Sequence, residues 1–174
     1  MPEITFSHGA ILALAIAGGL YDIRTRRIPN YLTFGGALCA FGYFALTGGW
    51  EGLSTSALGW LTGFVLFFPF YLLRGMGAGD VKQLAALGAW FGPLATLVLG
   101  AYTALAGGLL ALVVVLWNRA FKTTFRNLWL LICHWKVVGL RALPEVSLDD
   151  KRRIRVPYGV PIALGAITTI WFWQ

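Results

Sequence analysis

The sequence predicts an all-α polytopic membrane protein with six transmembrane helices, N-out and C-out, and an interfacial cytoplasmic helix between helices 5 and 6. Three observations carry that expectation. Of 174 residues, 58% are hydrophobic and only 12% are charged, about half the charged share of a soluble domain. The apolar residues come in runs of membrane-spanning length rather than in amphipathic stripes. The basic residues gather in a few loops, as Lys and Arg do on the cytoplasmic side of a membrane. A soluble fold of this composition would expose apolar surface that soluble monomers avoid, and disordered chains are poor in apolar residues. The excess of fourteen basic over seven acidic residues therefore reads as membrane topology, and no nucleic-acid partner is expected.

The first run extends from about Ile4 to Asp22. It lacks the basic n-region of a secretory signal and is followed by Arg24, Arg26 and Arg27, so a retained span is expected. The second runs from about Tyr31 to Leu46, with Pro29 in its first turn, where a missing N–H costs nothing. The third covers about Leu53 to Leu73. The stretch from Val81 to Trp117 is too long for one span and breaks at Phe91-Gly92-Pro93. It divides into a short fourth helix and a longer fifth. The sixth runs from about Pro157 to Trp173, with Trp171 and Trp173 suited to an interfacial belt. This layout places the loops at 23–30, 74–80 and 118–156 on one side, where they and their flanks hold three, two and nine basic residues, all fourteen in the chain. Only Glu3 and Glu51 face the other way. Within the long loop, NLWLLICHWKVVGL is too short and too interrupted to span and is expected to lie in the interface. The run Lys151, Arg152, Arg153 and Arg155 sets topology or touches anionic headgroups. Residues 1–174 read as a single domain.

Two acids stand at the cytoplasmic edge of spans, where ionisable groups are costly and mark function by default. Asp22 closes the first helix in YDIRTRRIPN, and Asp80 opens the fourth in RGMGAGDVKQLAALGAW. The topology puts them at one depth on one side. Two carboxyls meeting there could not both ionise cheaply, leaving one acid and one carboxylate. That division suits peptide hydrolysis: the carboxylate takes a proton from water while the acid polarises the carbonyl. A purely structural account also exists, since Asp80 could cap its helix and Asp22 could pair with an arginine. The alternating Gly75, Gly77 and Gly79 favour the functional account, because bare glycines let another strand approach.

Gly77-Ala78-Gly79-Asp80 is a G-x-G-D motif, extended by Lys82 to G-x-G-D-x-K. Asp22 stands in D-x-x-x-R-x-I-P-N, and Pro157-Tyr158-Gly159 opens the last helix in VPYGVPIALG. Together these resemble the type IV prepilin peptidases over nearly the whole chain. The resemblance implies that Asp22 and Asp80 are a catalytic pair and that no metal or organic cofactor takes part. It implies a prepilin substrate with a basic leader and a hydrophobic helix, cut at the cytoplasmic face of the inner membrane. The pilus-assembly machinery is a possible partner, and the bilayer an obligatory one. Bifunctional members carry an N-terminal region with paired C-x-x-C motifs that supports N-methylation. Cys39 and Cys133 do not have that spacing, so the short peptidase-only form associated with Flp/Tad pili is expected.

Gly77, Gly79, Lys82, Pro29, Asn30 and Tyr158 are expected to shape the site. Lys82 lies two residues beyond Asp80, so the two side chains do not share a helix face. It is expected to snorkel to the interface, or to meet a phosphate or a substrate carboxylate. Asn30 is expected to hydrogen-bond nearby backbone. His8 and His134 fall on opposite sides of the membrane and cannot share a metal, and the eight tryptophans are expected to be lipid-facing or interfacial anchors. Two other readings stay open. Presenilin-like proteases also use G-x-G-D and a Tyr-Asp, which Tyr21-Asp22 superficially fits, but their Pro-Ala-Leu motif is absent here. A proton-coupled transporter or assembly subunit would also place acids at span edges, yet the pseudo-symmetric halves common in transporters are not visible.

Overall fold

The computed structural model describes residues 6–72, 76–117 and 158–172, and among these every regular element is a helix. They are α1 (Phe6–Thr25), α2 (Asn30–Leu72), α3 (Ala78–Phe91), α4 (Pro93–Trp117) and α5 (Gly159–Phe172). The interfacial helix expected between helices 5 and 6, the run Lys151–Arg155, Gly75 and Pro157 lie outside the described residues. The chain divides into two units, residues 1–107 with 157–174 and residues 108–156. In the second, the described residues 108–117 are the last turns of α4.

Three helices, Phe6–Thr25, Asn30–Leu72 and Pro93–Trp117, are long and apolar enough to cross a membrane. A straight helix the length of α2 would be about 65 Å long, twice the bilayer's hydrocarbon core. It is not straight. Gly49 sits at φ 58°, ψ −140°, a conformation that a Cβ would forbid, and there the chain reverses. Its partners establish the reversal. Along the first arm Lys82 bonds Asn30 and Trp90 bonds Gly36, so this arm runs parallel to α3. Along the second arm Gly63 abuts Leu84 while Gly59 abuts Gly88, so this arm runs antiparallel to α3. The two arms correspond to the second and third apolar runs of the sequence.

The remaining breaks follow from local chemistry. At the end of α3, Gly92 takes φ 76° and its N–H bonds the Gly88 carbonyl at 2.9 Å. Pro93 then opens α4, its ring pre-set for a first helical turn. At the end of α1, Arg26 adopts φ 53° and its N–H bonds the Asp22 carbonyl at 2.9 Å. This is a left-handed cap that glycine or asparagine usually supplies.

The core forms around α3, whose residues 83–90 are all buried. Lipid tails are as apolar as leucine, so helices in a bilayer associate through close packing of small residues. Gly59, Gly63 and Gly88 provide it: backbone of α2 and backbone of α3 meet with no side chain between. At the end of the bundle remote from the aspartates, Trp90 is 6% exposed. Its indole N–H donates to the Gly36 carbonyl at 3.0 Å, and its ring packs on Phe6, Tyr43 and Phe44 with centroids 5.7–6.3 Å away. Trp50, Trp117 and Trp171 are exposed, as anchors would be, but Trp90 departs from that expectation. A part-buried carbonyl acceptor and three ring neighbours hold it in the core.

The glycine seam makes a signed prediction. A Cβ at Gly59 would overlap the Gly88 carbonyl and come within 2.9 Å of Gly92 backbone, and backbone cannot yield as a side-chain tip can. Gly59→Ala should therefore cost about 1–3 kcal/mol. Gly42 has open space around its Cβ position, so Gly42→Ala should be neutral or gain up to about 1 kcal/mol of helix propensity. Thermal unfolding of the full chain in detergent micelles should place Gly59→Ala below wild type and Gly42→Ala level with it or above.

Candidate active site

Three helix ends converge where α1 stops and α3 and α5 start. α1 and α3 run antiparallel, since Phe6 meets Trp90 at one end and Gly18 meets Gln83 toward the other. Continuing that register, Asp22 arrives beside Asp80. Both are buried, at 7% and 8% exposed, and the Asp22 charge acts on Asp80. The structure thus brings together two residues 58 positions apart in the sequence.

Each carboxylate is held by backbone. The Gly159 N–H, at the start of α5, donates to Asp22 Oδ2 at 2.7 Å. An unpaired N–H at a helix N-terminus is a natural carboxylate partner, reinforced by the helix dipole. The Gly77 N–H donates to Asp80 Oδ2 at 3.2 Å, while the Gly77 carbonyl accepts the Asp80 N–H at 3.2 Å. Asp80 therefore folds back over the first turn of its own helix, as an N3 carboxylate does. Capping and proximity to Asp22 coexist in one side chain.

The glycines before Asp80 serve contacts within the chain. Gly77 has φ −76°, ψ 149°, extended backbone open to any residue, but a Cβ there would stand 3.0 Å from Asp80 Oδ2. At Gly79 the Cβ position is 3.3 Å from Ile28 Cβ, and Ile28 is buried at 8% exposed. The strand laid against Gly79 is the chain's own Arg27-Ile28-Pro29 connection, returned there by the Arg26 turn.

Pro29 stands one residue before α2 rather than inside its first turn, and its carbonyl accepts the N–H groups of Leu32 and Thr33 at 3.1 and 3.4 Å. Asn30 and Lys82 meet each other: Lys82 Nζ donates to Asn30 Oδ1 at 3.0 Å and lies 5.4 Å from the Phe34 ring centroid. The ammonium thus faces the first arm of α2, turned from Asp80 as the two-residue spacing requires. Tyr158 is half-buried, with the Asp80 charge acting on it. Its ring also lies 3.4 Å from the Cβ position of Gly107 on α4. Arg24, Arg26 and Arg27, which follow Asp22 in the chain, are exposed. Among the described residues no three His, Cys, Asp or Glu side chains group as a metal site.

Two contributors escape a reading of the sequence. Gly159 shows its role only when α5 is seen abutting Asp22. Gln83 is fully buried one turn along α3 from Asp80; an amide immediately before the apolar run LAALGAW was the available signal.

With its long apolar helices and two buried carboxyls gathered where three helix ends meet, this chain is a helical membrane protein. The model of the type IV leader peptidase family matches residues 9–112, and the chain belongs to that family. It is similar to the prepilin leader peptidase/N-methyltransferase of Aeromonas hydrophila, 34% identical over 106 residues, covering 55% of this chain and 35% of that protein. The protein of the same description from Aeromonas salmonicida strain A449 matches with the same identity and coverage. The matching segment thus spans about a third of those relatives' length. No solved structure matches the chain significantly.

Proposed function

We propose that this protein is a membrane-embedded aspartic endopeptidase that removes the leader from type IV prepilins of the Flp/Tad kind. In this reading its six helical stretches are six spans, with the site at the cytoplasmic face of the inner membrane. The observation that carries the reading is the antiparallel pairing of α1 and α3, which brings Asp22 and Asp80 to one end within electrostatic reach. Family membership supports it.

The chemistry follows from a shared proton. One carboxylate accepts a proton from water as the oxygen attacks the scissile carbonyl, and the other, protonated, donates to the developing oxyanion. The resulting gem-diol collapses with proton transfer to the departing nitrogen, yielding the leader's new carboxyl terminus and the pilin's new amino terminus. Backbone donors on both aspartates fix their orientation without spending a further side chain. A leader rich in Lys and Arg is attracted by the carboxyls and not by the surrounding arginines, so the acids supply the charge complementarity.

Co-expression of the full chain with a Flp-type prepilin tests the proposal. The expected result is a mobility shift to the mature size, with a new pilin terminus by mass spectrometry. Cleavage of a transmembrane stub in place of the prepilin would favour a presenilin-like protease. If both substrates stay intact in membranes that hold the inserted protein, the peptidase reading falls.

A further inference from the structure

We propose that Gln83 is a positioning residue: its amide locks the seam between α1 and α3 and so sets the spacing of Asp22 and Asp80. The kinetic half of this inference rests on the peptidase reading above, and the structural half rests on packing alone.

Gln83 is 0% exposed and sits one turn along α3 from Asp80. The backbone it meets, Ala15 and Gly18, lies one to two turns before Asp22 on α1. Its Nε2 donates to the Ala15 carbonyl at 3.4 Å. That oxygen lies inside α1 and already serves the helix, so the amide uses its second lone pair. At Gly18 the amide lies across bare backbone, and a Cβ there would overlap Nε2. The pairing is therefore specific in both partners: a long amide on α3 and a missing side chain on α1.

Stability does not explain the amide. Its Oε1 is buried with no hydrogen-bond partner among the described residues, and an unsatisfied buried acceptor is unfavourable. Leucine would fill similar volume without that penalty. A local rule broken beside a site is the pattern expected where function sets the residue. Precision is the function at hand. Apolar contacts between membrane helices are non-directional, so a leucine–glycine seam can slide. A hydrogen bond to one chosen carbonyl cannot slide without breaking. Asp22 is held from α5 by the Gly159 N–H, and Gln83 adds a second fixed point, from the helix that carries Asp80.

The test uses the purified full chain in detergent micelles, with kcat and KM on a prepilin and thermal unfolding measured in parallel. Gln83→Leu should lower kcat about tenfold with KM within about twofold, while Tm stays level or rises. Gln83→Met, closer in shape, should behave alike and covers any folding failure of the leucine variant. Gly18→Ala pushes the amide aside and should lower kcat similarly, yet add no loss in the Gln83→Leu background. Wild-type kcat in both Gln83 variants would overturn the proposal. So would a Tm that falls together with kcat and Gly18→Ala losses that simply add, since those mark a packing residue only. Should the wild-type chain cut no prepilin, the peptidase reading fails, and Tm coupling between Gly18→Ala and Gln83→Leu still decides the seam: non-additive supports it, additive overturns it.

Discussion

Asp22→Asn and Asp80→Asn, made singly, should each lower prepilin processing by about 10³-fold or more while leaving insertion intact. Asparagine keeps an oxygen where Asp22 accepts the Gly159 N–H and where Asp80 accepts the Gly77 N–H. The helix ends therefore stay in place, and only proton transfer is lost. In the proposed mechanism the two acids act on one water as a unit, so the double variant should be scarcely worse than either single one. Tm should not fall, since an amide relieves the repulsion between two buried carboxyls. Processing rates against a prepilin, with Tm of the purified variants, check all three statements. Substantial cleavage by either single variant would end the two-aspartate mechanism.

Gly159→Ala should lower kcat about 10²-fold, the usual cost of displacing a catalytic group by about 1 Å. An alanine Cβ would stand 2.7 Å from Asp22 Cβ, 3.1 Å from its Oδ2 and 3.2 Å from the Gly18 carbonyl. Relief requires α5 to withdraw from α1 or Asp22 to swing away, and either motion lengthens the bond from the Gly159 N–H. The two lesions differ in kind. The aspartate variants remove the chemistry and spare the fold, whereas Gly159→Ala moves the carboxylate and should also cost about 1–3 kcal/mol of stability through overpacking. Comparing kcat and Tm across the three variants separates the two effects. A Gly159→Ala protein with wild-type turnover would show that α5 does not position Asp22.

Most of the helical elements were legible because their causes are local. A run of apolar residues long enough to cross a bilayer becomes a helix wherever it lies, since its backbone has no other way to satisfy its polar groups. Gly92-Pro93 ends one helix and starts the next by φ preference alone. The reversal around Gly49 falls between the second and third apolar runs, as their separation in the sequence predicts, though the angle at Gly49 itself was not legible. The catalytic candidates were legible for a related reason: an acid at the edge of a span is costly, so Asp22 and Asp80 stand out without any partner in view.

What stayed hidden is which face of each helix meets which neighbour. These helices are apolar on all sides, so no polar stripe separates a lipid-facing side from a buried one. Nothing local distinguishes the buried Trp90 from the exposed Trp117, or shows that Gly79 receives Ile28 and that Asn30, 52 positions away, receives Lys82. Local chemistry was enough to establish a helical membrane protein, where most of its helices break, and which two acids are candidates for its chemistry. The folded molecule alone reveals that the Arg26 turn and the Gly159 N–H close on Asp22, and that the Gln83 amide meets α1 one to two turns before it. Contacts of that kind depend on backbones brought close by missing side chains, and an absent side chain does not name its partner.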